Sequence, residues 1–117
     1  MRVLVVEPGK RPAEREIDGS LESIQAIVGG TIQAIYPFEE PVALICNDEA
    51  KLLNMESNRM LNEIHDIIFG TFFLCGAPHN SESFGSLSEE QLERYANRFK
   101  SIELIVPIGD AVFVMEV

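Results

Sequence analysis

Cys46, His65, Cys75 and His79 put two thiols and two imidazoles into one short chain, the donor set of a structural zinc site. Their spacing argues against that use. Zinc ligands usually come in close pairs such as C-x2-C and H-x3-H, and here only Cys75 and His79 are near each other. A Cys–His nucleophile needs a thiolate beside a base, yet no glycine elbow or electropositive setting surrounds Cys75. Both cysteines sit in apolar runs, where a free thiol behaves as a small hydrophobe. The adjacent acids Glu39/Glu40, Asp48/Glu49 and Glu89/Glu90 would diverge on a strand or helix, whereas paired acid–base work needs carboxylates converging on one cleft. Gly29-Gly30 and Pro8-Gly9-Lys10 lack the spacing of a phosphate loop. On this reading no catalytic residue, metal ligand or cofactor is assigned.

What remains is a central polar set: Asn47, Asp48, Glu49, Lys51, Asn58 and Arg59. It interrupts two apolar runs, Val42 to Cys46 and Ile67 to Cys75. Arg59 stands out, because a guanidinium beside a buried-type strand needs a carboxylate or backbone carbonyls, and Asp48 or Glu49 could supply the carboxylate. Either the set pins the crossover, with Asn47 capping a turn, or it forms a partner or ligand site.

The elements that must position these residues follow from pattern. Arg2 to Val6 reads as a strand stopped by Glu7-Pro8-Gly9, and Ala13 to Ile17 as its return. Ser20 opens a helix that Gly29-Gly30 ends, and Thr31 to Tyr36 alternates as a strand stopped by Pro37. Val42 to Cys46 is uniformly apolar and belongs in the middle of a sheet. Lys51 to Met60 has no clean period and reads as loop with room for one helical turn, and Gly70 suggests a bulge or a close backbone approach within an Ile67 to Cys75 strand. Gly76 to Ser86 reads as a loop before Ser86-Leu87-Ser88-Glu89, which matches a capping box for a second helix. Ile102 to Val106 and Ala111 to Val117 read as a β-hairpin. The fold class is α+β: a single small domain over 1–117, with a mixed, mainly antiparallel sheet and two helices packed on it.

Composition bounds the partners. Nine Lys plus Arg against nineteen Asp plus Glu give a formal net charge of −10, which repels phosphate backbones and disfavours direct nucleic-acid binding. No apolar run approaches the ~18 residues of a membrane span, and MRVLVVEPGK lacks a signal-peptide core, so a cytoplasmic location is expected. Two unpaired cysteines fit a reducing compartment.

The chain also resembles a small bacterial and phage family, domain of unknown function 3846. The likeness rests on VLVVEPGKRP, REIDGSLESIQAIVGG, LICNDEAKLLNMESNR, DIIFGTFFLCG and FGSLSEEQLERYANRF, and covers about residues 1 to 100, with the hairpin over about 102–117 as a local extension. The family's N-[DE]-E-x-K-L and N-R are matched by Asn47, Asp48, Glu49, Lys51, Leu52, Asn58 and Arg59, with Ala50 where relatives often carry Gly. The resemblance implies a setting in phages and mobile elements, often near replication or antirestriction genes, and no established activity. The function expected is a small acidic cytosolic protein-binding module of such an element, its partner a protein. A DNA-mimicking or antirestriction-type inhibitor is the second reading, although no run of acids exceeds two, and an enzyme of unknown reaction is the third.

Overall fold

The computed structural model describes residues 1–117. β1 (Arg2–Val6) pairs antiparallel with β2 (Ala13–Glu16). In α1 (Leu21–Val28) the Ser20 hydroxyl accepts from the Ser23 N–H at 3.1 Å, and Gly29 closes the helix in the left-handed region at φ +82°. β3 (Ile32–Ile35) and β4 (Val42–Asn47) follow, then β5 (Ser57–Leu61), β6 (Asp66–Phe69) and β7 (Phe72–Gly76). α2 (Glu89–Arg98) precedes the hairpin of β8 (Glu103–Ile108) and β9 (Ala111–Glu116). The molecule is α+β, and no helix is long and apolar enough to cross a membrane.

Five strands form the main sheet in the order β2-β1-β7-β4-β3, every neighbouring pair antiparallel. Alternation sends Leu4, Val6, Leu44, Phe72 and Leu74 to one face, where Leu92, Tyr95 and Phe99 of the α2 region cover them. It sends Val3, Val5, Ile45 and Phe73 to the other, under Ile24 and Val28 of α1. The two helices therefore lie on opposite faces, which is why β4 from Val42 to Cys46 and all of β7 carry no polar side chain. Each fully buried Leu, Ile, Val or Phe contributes roughly 1.5–3 kcal/mol of transfer free energy.

Three sequence expectations are corrected. Ile67 to Cys75 is two strands rather than one bulged strand: Gly70, at φ +77°, turns the chain so that β6 pairs with β5 in a separate ribbon while β7 enters the main sheet. A side chain at Gly70 would also meet the Met55 Sδ at 2.7 Å. The span read as loop, Lys51 to Met60, holds β5, whose Leu61 packs with Ile68 against the α2 face. The capping box is Ser88 with Gln91, two residues later than Ser86 with Glu89: the Ser88 hydroxyl accepts from the Gln91 N–H at 3.1 Å and the Gln91 side chain accepts from the Ser88 N–H at 2.9 Å. Ser86 instead accepts from the Arg2 N–H at 2.9 Å, fastening the approach to α2 along β1. The preceding loop is closed at its base by the Gly76–Gly85 bridge.

Candidate functional site

β4 runs apolar and fully buried until Asn47, whose side chain converts a strand end into a rim. The Asn47 amide donates to the Val28 carbonyl at 3.2 Å, and its oxygen accepts from the Glu49 N–H at 2.7 Å, an Asx turn that anchors the crossover to the end of α1. Gly30 lets the chain pass this amide, since a Cβ there would lie 3.1 Å from it. The backbone then coils tightly, with Leu53 N–H donating to the Glu49 carbonyl at 2.9 Å and Met55 N–H to the Ala50 carbonyl at 3.0 Å. Its left-handed residue is Asn54, at φ +53°, and not Ala50, so the departure from glycine at position 50 costs this turn nothing.

A shallow cleft of about 180 Å³ opens beside this turn, lined by Asn47, Asp48, Glu49, Lys51, Asp66 and Phe69 among others. The Lys51 ammonium bridges to Asp66 at 3.0 Å and stands 5.8 Å from the centre of the Phe69 ring. Glu49 receives only a 3.4 Å contact from the Thr31 hydroxyl, which leaves Asp48 and Glu49 as exposed acceptors at the rim. The structure therefore brings Asn47, Asp48, Glu49 and Lys51 together.

It places Asn58 and Arg59 elsewhere. Both belong to β5 and are wholly buried, out of reach of any molecule resting on the rim. The Asn58 amide donates to the carbonyls of Val6 and Gly70, each at 2.9 Å, and its oxygen accepts from Arg59 Nη1 at 2.8 Å. Arg59 donates to the Phe99 carbonyl from Nε at 3.3 Å and Nη2 at 3.0 Å, and to the Lys10 carbonyl at 2.7 Å. Of the two kinds of partner expected for Arg59, a carboxylate from Asp48 or Glu49 or backbone carbonyls, the structure supplies the carbonyls, one of them at the electronegative end of α2. Burial pushes the guanidinium down from its usual pKa, and the Glu103 carboxylate opposes this.

The thiols and imidazoles do not converge. Cys46 belongs to the α2 face of the sheet and Cys75 to the α1 face, while His65 and His79 lie exposed in turns. Burial pushes the Cys75 thiol up to about 12. Burial, with the Asp48 and Asp66 carboxylates nearby, pushes Cys46 up to about 11. At neutral pH both remain thiols, the weakly nucleophilic form.

The sequence reading left two rim leucines out of the candidate site, Leu53 altogether and Leu52 as a motif position only. Leu52 and Leu53 crown the turn, 81% and 56% exposed. The available signal was their position, two adjacent leucines in a polar turn with no helix or strand to bury them. Asp66 was missed as well, because its approach to Lys51 depends on β6 folding back.

No curated protein and no solved structure matches the chain. The family model described as Domain of unknown function (DUF3846) matches residues 1–100, a segment that contains the main sheet, the ribbon and both helices, and the chain belongs to that family.

Proposed function

We propose that the protein is an acidic binding module that docks a partner protein on the rim turn from Asp48 to Asn54. The observation that carries this reading is the exposure of Leu52 and Leu53 on a backbone fixed by Asn47. Apolar side chains held out on an ordered turn and ringed by charge have the make-up of an interface anchor. Asp48 and Glu49 suit a basic side chain beside the apolar contact. The cleft, at about 180 Å³, is smaller than the roughly 300–1,000 Å³ of small-molecule sites, which favours a protein surface over a metabolite. We take the partner to be a host or element protein in the cytoplasm of a cell carrying a phage or mobile element, the setting that the family resemblance implies.

The test is capture from host lysate by the wild-type chain, by Leu52→Ser/Leu53→Ser and by Asp48→Lys/Glu49→Lys. Because all four side chains are exposed, the variants should keep wild-type stability within about 0.5 kcal/mol. The expected result is a stoichiometric partner lost from both variants. Equal capture by all three proteins would refute the rim as the site. A partner insensitive to the leucines, displaced by DNA and released steeply by salt would instead favour nucleic-acid mimicry.

A further inference from the structure

The hairpin of β8 and β9 carries a surface that the rim reading does not use. Its cross-strand pairs Leu104–Met115, Val106–Phe113 and Ile108–Ala111 share one face, because directly opposed residues of antiparallel strands project to the same side. That face has six apolar positions and no charge. Glu103 and Glu116 pair on the opposite face, and Asp110 lies in the turn. Leu104, Ile108, Phe113 and Met115 are 50% to 59% exposed, and no residue of β9 is buried. The hairpin's anchorage to the body runs through β8, where Glu103 accepts from the Met60 N–H at 2.8 Å. β9 pairs with β8 alone.

We propose that this face is the dimer interface of the protein, packed against the same face of a second copy across a twofold axis. Area supports it. With half-exposed side chains of this size offering roughly 100 Å² each, the face supplies on the order of 500 Å² per copy, so a twofold pair reaches the ~1,000 Å² that a specific interface requires. Charge supports a second copy over a charged partner. A chain of net charge −10 can meet its own kind only where no acids oppose each other, and this uncharged face satisfies that condition, whereas a basic partner would find no carboxylate on it. A twofold contact also needs only one self-complementary patch. The proposal stands on residues separate from the rim and does not depend on it.

Sedimentation equilibrium of the full chain tests it, at concentrations up to about 100 µM and at low and moderate salt. The expected result is a mass rising from 13.1 kDa to twice that value, with a dissociation constant that tightens as salt screens the repulsion between acidic bodies. Phe113→Asp should weaken the dimer at least about 100-fold with its far-UV circular dichroism unchanged, and Val112→Asp, on the opposite face, should leave it intact. A wild-type chain that stays monomeric throughout overturns the proposal, and binding of that monomer to phosphatidylcholine vesicles would give the face to a lipid surface. A Phe113→Asp dimer, or equal loss in both variants, overturns the assignment of the face.

Discussion

Arg59 shows how a residue selected as a site can be the opposite of one. Its charge is buried without an ion pair and is satisfied by carbonyls of Phe99 and Lys10, together with the side chain of Asn58. One guanidinium thereby ties the end of α2, the turn after β1 and strand β5 into a single block. Arg59→Met keeps most of the volume but leaves these acceptors without donors in the interior, where each unsatisfied group costs about 1–3 kcal/mol. The expected loss is about 3 kcal/mol or more, read as a lower urea midpoint. Arg59→Lys should fall between, since a single ammonium cannot reproduce the fork that reaches both carbonyls. Asp48→Ala, at the exposed rim, should shift the midpoint by no more than about 0.5 kcal/mol. A neutral Arg59→Met would mean that water or rearranged backbone satisfies those carbonyls.

Among the elements, α2 offers the sharpest contrast between two serines. Ser88→Ala removes a reciprocal cap and should cost about 1 kcal/mol, seen as a lower melting temperature. Ser86→Ala removes an exposed bond to the Arg2 N–H and should cost less than half of that. The order reverses if the helix starts at Ser86. In sequence the two were nearly degenerate, because Ser86 is followed by Glu89 and Ser88 by Gln91 at the same spacing. The tie is broken by β1, which takes Ser86 for itself through a partner 84 residues away. The same limit explains the other corrections. Apolar periodicity marked α1, β1, β4 and the β8–β9 hairpin well, because each is specified by its own residues. It could not show that Ile67 to Cys75 changes sheet at Gly70, since both halves are apolar. The rim was legible in Asn47 to Lys51, where polar residues cut short an apolar strand. For Arg59 the need for a carboxylate or backbone carbonyls was legible but not which group would meet it, because the accepting carbonyls of Phe99 and Lys10 come from residues 40 and 49 positions away.

At the scale of the whole molecule, the segment matched by the family model holds the main sheet, the β5–β6 ribbon and both helices, while the β8–β9 hairpin lies beyond residue 100. β7 is the middle strand of the sheet, hydrogen-bonded on both sides and covered on both faces, so its amides open only when the body does. The hairpin shares little of that core: β9 is exposed along its length, and a two-stranded ribbon alone is marginally stable in water. Hydrogen exchange at low concentration should therefore show Phe73, Leu74 and Cys75 exchanging with the free energy of global unfolding measured in urea. The amides of β9 should exchange with a free energy several kcal/mol smaller, through local opening that leaves the body intact. Equal protection of β9 and β7 in a monomeric sample would show that the hairpin belongs to the cooperative unit. Protection of β9 that rises with protein concentration, while β7 stays constant, separates the two roles within one experiment. Such a rise would show that the body holds the fold and that the hairpin gains order from a second copy.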